Sequence, residues 1–172
     1  NYLADFSGTS ITNGSTQATP TLKVTLGGSG ANQDAWQQSN RTFLGGVFTA
    51  DATYTVDYIV VRLQTGTACT TCADITAKLY TASGGIPTTT VVETSPTAIG
   101  QATLTGTYAN YQFNFESGVT IGNDYAFVLI KTVTTGFPQW QSNSTGSYIR
   151  STDGSTLSTT ASKTLYIEIW GH

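Results

Sequence analysis

Tyr54-Thr-Val-Asp-Tyr-Ile-Val-Val-Arg-Leu-Gln64 is the longest apolar segment of the chain, and its reading decides the fold. β-Branched residues and tyrosine dominate it, the make-up of a pleated, half-buried surface. It is far short of the ~20 residues that a membrane helix needs. We read it as a central strand. Upstream, Thr21 to Leu26 alternates, with Leu22, Val24 and Leu26 on one face, and Gly27-Gly28-Ser29-Gly30 breaks the chain after it. Arg41 to Ala50 is a second strand anchored by Phe43 and Phe48, and Gly45-Gly46 inside it marks a bulge or a close backbone approach.

Downstream, Ile75 to Tyr80 alternates with Ile75, Ala77 and Leu79 inward, and Ser83-Gly84-Gly85-Ile86-Pro87 follows as a turn. Further strands are expected at Thr90–Glu93, Gln101–Leu104, Tyr108–Phe115 and Asp124–Lys131, with weaker ones at Gln139–Gln141 and Tyr148–Arg150. Tyr111, Phe113 and Phe115 share one face, as do Tyr125, Phe127 and Leu129. The last strand spans Thr164–Trp170, with Leu165, Ile167 and Ile169 toward the core. No window shows sustained helical spacing. About ten short strands with regular turn signals predict an all-β protein, an antiparallel two-sheet β-sandwich of jelly-roll type. Residues 1–20 are polar and read as an N-terminal arm; residues 21–172 are the sandwich domain.

The 172 residues are 38% hydrophobic, 11% aromatic and only 10% charged, where an average soluble domain carries about 25% charged residues. Thr, Ser, Gly and Asn replace the missing charge. The net charge is −3, with a pI near 4.8. Lys23, Arg41, Arg62, Lys78, Lys131, Arg150 and Lys163 are scattered, so no row of phosphates is matched and nucleic acid is not an expected partner. Membrane insertion is not expected either. The chain begins at Asn1 without a Met or an apolar leader, and reads as a mature or excised fragment.

Nucleophilic triads need a histidine held by packing, and His172, the only one, is the final residue, where chains usually fray. Glycosidase chemistry needs two facing carboxylates, and Glu93, Glu116 and Glu168 lie far apart in sequence. No catalytic set is identified, and the chain is read as non-enzymatic. No cofactor is expected. For Ca²⁺, Asp34, Asp51, Asp57, Asp74, Asp124 and Asp153 lie in or near expected loops or strand ends; they show no Asp-x-Asp-x-Asp spacing and read first as turn formers. Asp153-Gly154 reads as a hairpin turn.

Cys69-Thr-Thr-Cys72 has three readings: a redox motif, half a metal site or a local disulfide. Redox motifs open a helix, where the dipole lowers the thiol pKa. This one lies between two expected strands, so Cys69 and Cys72 are read as a disulfide that stiffens a loop. Such a bond belongs in an oxidising compartment. Asn13, Asn40 and Asn143 open N-glycosylation sequons. Trp36 and Trp140 stand in amide-rich contexts and, with Tyr148, are candidate glycan contacts; the alternative is that each tryptophan plugs the sandwich edge with its N–H satisfied. Trp170 ends the last strand and reads as structural.

Arg41-Thr-Phe-Leu-Gly-Gly-Val-Phe-Thr-Ala50, the 54–63 strand, Ile75-Thr-Ala-Lys-Leu-Tyr-Thr-Ala-Ser-Gly-Gly-Ile-Pro87, Tyr111-Gln-Phe-Asn-Phe115, Tyr125-Ala-Phe-Val-Leu129, Ser151-Thr-Asp-Gly154 and Leu165-Tyr-Ile-Glu-Ile-Trp-Gly171 fall in a familiar order. Together they resemble a jelly-roll-like β-sandwich module of secreted bacterial surface and anchoring proteins and of phage tail-fibre-type proteins. The resemblance covers about residues 40–171, and its motifs encode turns and core aromatics. It implies a sandwich that works on a cell or virion surface. The expected function is that of an extracellular structural subunit or display module in a filament, appendage or virion. Identical subunits are the expected partners, with residues Tyr2, Leu3, Phe6 and Ile11 of the arm as candidate contacts and strand addition as the mode. The alternative is a carbohydrate-binding or adhesive module with glycans as partners.

Overall fold

A computed structural model describes residues 18–28, 41–67, 74–131, 137–161 and 163–172. Among them, fourteen antiparallel strands follow in order: β1 Thr21–Leu26, β2 Phe43–Thr49, β3 Tyr54–Thr67, β4 Thr76–Ser83, β5 Ile86–Thr94, β6 Ala109–Asn114, β7 Gly118–Val119, β8 Asp124–Ile130, β9 Phe137–Trp140, β10 Ser142–Asn143, β11 Ser147–Ser151, β12 Ser158–Ala161, β13 Thr164–Leu165 and β14 Ile167–Gly171. One six-stranded sheet runs β1-β14-β3-β6, with β7 and β9 also paired to β3; the other six-stranded sheet runs β12-β11-β2-β8-β4-β5, and β10 pairs β13 apart from both. We call them sheet A and sheet B.

The pairing is nested. β4 pairs β5, β3 pairs β6, β2 pairs β8 and β1 pairs β14. A long hairpin with its tip at Gly84–Gly85 is thus rolled so that successive pairs fall alternately in sheets B and A. That is the jelly-roll topology, with β9–β13 inserted before the final strand. Gly84 and Gly85 both take positive φ, +60° and +78°, which side-chain-bearing residues resist.

β3 is the axis of sheet A, as its apolar length predicts. Its 14 residues are long enough for β14 and β9 to pair in tandem along one side and for β7 and β6 along the other. Its inward residues Val56, Ile59, Val61 and Leu63 are fully buried. They meet Leu44, Ile75, Leu79, Leu129 and Ile167 from the neighbouring strands in one continuous core. Phe127 sits among Phe113, Phe115 and Trp140, with ring centroids 6.1, 6.1 and 6.2 Å away and tilted or edge-on geometries. Such pairs add about 0.5–1.5 kcal/mol each beyond burial.

Gly45 and Gly46 mark a close approach and not a bulge. The β2–β8 register runs unbroken through them, and a Cβ at Gly45 would lie 2.1 Å from the Phe127 carbonyl oxygen. Three expectations are corrected. Gln101–Leu104 is not a strand: Gln101–Thr103 forms a single 3-10 turn, closed by the Thr103 N–H and hydroxyl donating to the Gly100 carbonyl. Leu22 does not share a face with Val24 and Leu26. The β1–β14 register shifts between Leu22 and Val24, so the extra residue, Lys23, turns Leu22 outward, and it is 47% exposed. His172 does not fray. Its backbone N–H donates to the Thr55 carbonyl, the Thr55 N–H donates to its carbonyl, and its Nδ1 lies 2.9 Å from Asp57.

Candidate functional site

The outward face of sheet A collects the groups with recognition chemistry. In antiparallel sheets, opposed residues point to the same side, so the register dictates what lies together. One row across the sheet reads Leu22, Trp170, Tyr58, Asn114. The next reads Thr25, Glu168, Val60, Gln112. Arg62 opposite Asn110 extends the face further along β3 and β6.

The aromatic row is ordered by direct contacts. The rings of Tyr58 and Trp170 stack at 5.7 Å with an interplanar angle of 19°. Glu168 stands two residues before Trp170 on the same side of β14. Its Oε2 accepts the Trp170 indole N–H at 3.1 Å, and its Oε1 accepts the Tyr166 hydroxyl. That bond to Glu168 is the main reason the Tyr166 hydroxyl is pushed above its ordinary pKa. The Arg62 guanidinium lies 5.8 Å from the centre of the Tyr166 ring. On β6, Gln112 Nε2 donates to Asn114 Oδ1 at 2.7 Å. Tyr58, Val60, Asn110, Gln112, Glu168 and Trp170 line a shallow groove of about 290 Å³, with Val60 as its floor.

A second basin, about 310 Å³, lies where Arg41, Arg150 and Asp153 meet beside the β11–β12 loop. Asp153 is the acceptor that organises this loop. Its carboxylate takes the Ser155 hydroxyl and N–H at 2.7 and 2.9 Å and the Ser151 hydroxyl at 3.2 Å. The Ser155 bonds hold its pKa below the usual carboxylate value. Asp153-Gly154 therefore builds a hairpin connection, as expected, but within a loop of six residues between β11 and β12.

Of the candidate glycan contacts, Trp140 and Tyr148 are corrected. Trp140 is fully buried, its indole N–H donating to the Tyr166 carbonyl at 2.9 Å. It plugs the core between β9 and β14 and offers no face to a sugar. Tyr148 is 5% exposed, with its hydroxyl accepting from Arg41. Trp36, Cys69, Cys72, Asn13, Asn40 and the arm residues Tyr2, Leu3, Phe6 and Ile11 lie outside the described residues. Asn143 is half-buried in β10, its Oδ1 accepting the Thr164 N–H at 2.9 Å. Among the described residues, no three His, Cys, Asp or Glu side chains converge as metal ligands would.

Reading the sequence for alternation selected the inward residues of β3 and β14 and passed over the outward ones. Tyr58 was missed for that reason, while Glu168 was weighed only as one of three distant carboxylates and Trp170 only as structural. Their signal is an aromatic on the polar side of each of two strands, which acquires meaning only when the register makes them neighbours. Lys131 was likewise missed. It follows β8 in a fully buried position, and burial lowers its ammonium pKa to about 8.

β1 is the first described strand after the N-terminal segment expected to make subunit contacts. This strand pairs only with β14, so among the described residues its other side is an open edge of sheet A. β1 carries one such protection, the Lys23 bulge near its start, and the other edges carry blunting devices of their own. β5 contains Pro87 and two register shifts. β12 has four residues. On β6, the Asn114 N–H and carbonyl are bonded to the Thr97 and Ser95 hydroxyls. Compared with known proteins, the chain matches no family model, no curated protein and no solved structure.

Proposed function

We propose that the chain is a non-catalytic structural domain of an extracellular surface, a self-assembling subunit or display module of a filament, appendage or virion. The observation that carries this reading is the placement of β1. The first twenty residues lead directly into an edge strand whose outer side is open among the described residues. Beyond the Lys23 bulge, Val24 to Leu26 keeps a regular register with Ile169 to Ile167 and has no charged residue. An added strand there gains main-chain hydrogen bonds. The resemblance to surface and tail-fibre-type modules points the same way.

Light scattering coupled to size exclusion, with electron microscopy, tests the reading on the chain with and without residues 1–20 and on Thr25→Lys. The full chain is expected to associate, and the truncated and Thr25→Lys chains to run as monomers. Equal monomers in all three would end the assembly reading. A second reading, an adhesive or carbohydrate-binding module, is favoured by one observation: the ordered aromatic groove on sheet A.

A further inference from the structure

We propose that the groove formed by Tyr58, Val60, Gln112, Glu168 and Trp170 binds an uncharged oligosaccharide. This deepens the second reading, on which it rests, and is independent of assembly through β1. A pyranose ring has an apolar C–H face and a rim of hydroxyls, each both donor and acceptor. The groove offers the matching pair of surfaces. Leu22, Trp170 and Tyr58 form an apolar-aromatic row, and Val60 continues it as a floor.

The polar rim is held in place before any ligand arrives. Glu168 is fixed by Tyr166 and Trp170, one bond to each oxygen. A carboxylate oxygen accepts more than one hydrogen bond, so both remain acceptors for sugar hydroxyls. The Gln112–Asn114 bond uses one amide hydrogen and one carbonyl. It leaves the Gln112 Oε1 to accept and the Asn114 Nδ2 to donate. Acceptors on β14 and amides on β6 thus flank an aromatic wall, and groups fixed in advance lose little entropy on binding.

Charge and backbone geometry select the class of ligand. On β3 and β14 the outward charges are Glu168 and Arg62, one of each sign, and Asp57, whose carboxylate faces the His172 imidazole at 2.9 Å. The face therefore carries no positive field to draw a polyanion such as nucleic acid or an acidic polysaccharide. A peptide strand is disfavoured because the groove lies on the face of the sheet, across β14, β3 and β6, and not along an edge. Strand addition needs a free edge, and on β6, the edge strand among the three, the Asn114 N–H and carbonyl are already bonded to Thr97 and Ser95. An uncharged polyhydroxylated chain meets all of these conditions.

Affinity electrophoresis tests this with the whole chain in gels containing, separately, galactomannan, xylan, a soluble β-glucan and, as the acidic comparison, alginate. Retardation by at least one of the three neutral polysaccharides and not by alginate is expected. Trp170→Ala, Gln112→Ala and Glu168→Gln should each weaken it at least tenfold, with circular dichroism confirming that each variant is folded. Gln112→Ala and Glu168→Gln alter exposed or half-exposed polar groups, so they report even if Trp170→Ala is unstable. Retardation unchanged in the folded variants would overturn the assignment to this groove while leaving a glycan-binding role elsewhere. No retardation by any neutral polysaccharide, or retardation by alginate alone, would overturn both.

Discussion

The two outward faces of the sandwich solve opposite problems. On sheet B, Ala126, Val128 and Ile149 are fully buried on the side away from the main core. Tyr80 and Ile130 join them, and Phe43, Val47, Ala82 and Leu157 pack over them as a second apolar cluster. Leu157 comes from the β11–β12 loop, which folds back across the sheet. On sheet A, the corresponding face keeps Tyr58, Glu168 and Trp170 half-exposed and Gln112 exposed. One face is spent on stability, and the other is left open with directional groups. The difference shows that a jelly roll need not use both faces alike. The covered one can make the body rigid enough for the open one to hold a binding geometry.

The largest expected effect comes from placing the same charge on each face. Val128→Asp puts an unpaired carboxylate where no solvent reaches, and should cost more than about 4 kcal/mol or prevent folding. Gln112→Asp, on the open face, should stay within about 0.5 kcal/mol. Urea denaturation of both variants measures the contrast, and similar costs would erase the distinction between the faces.

A smaller effect concerns Lys131 at the end of β8. Its folded pKa, about 8, lies below the ordinary 10.5 because burial disfavours the charged form. The burden is therefore full below pH 8 and lifts as pH rises toward 10.5. Stability should increase by about 2–3 kcal/mol between pH 8 and pH 10. Tyr54 acts in the opposite sense above that window. Burial first, then Asp51, pushes its hydroxyl up to about 12. The unfolded tyrosine ionises earlier, so stability falls again above pH 10. Denaturation midpoints across pH 7–11 should show the rise and fall, and Lys131→Met should flatten the rise.

The loop that covers sheet B supplies the smallest test. Gly154 takes φ +76°, and a Cβ there would lie 2.3 Å from the Phe43 ring. Gly154→Ala should cost about 1–3 kcal/mol through strain and a displaced ring. Thermal melts should show the loss. In the same variant the sheet A groove should bind as before, since the two faces are separated by the core.

Much of this was legible in the chain. The apolar run from Tyr54 is the central strand, and Phe113, Phe115, Phe127, Leu129, Ile167 and Ile169 are core residues as their alternation predicts. Gly84-Gly85 is a turn because both need a backbone that other residues resist. The short pairs β7, β10 and β13 were not separable, because two-residue strands carry no period. β12, Ser-Thr-Thr-Ala, gave no apolar alternation to read. Leu22 was misplaced because a one-residue bulge reverses every face before it, and a bulge leaves no mark in an alternating sequence. Trp140 was open to two readings, because its amide-rich neighbours resemble a sugar site while its ring is buried.

The sequence by itself therefore determined the class of fold, the inward faces and the turns, since these follow from local propensity and a period of two. Only the tertiary structure decided which outward residues became neighbours. Tyr58 and Trp170 lie over a hundred positions apart in the chain and stack because β3 and β14 share one register. The nested pairing also decided that one outer face would be covered and the other left open. Register and covering are set by long-range pairing, and no local pattern of residues encodes them.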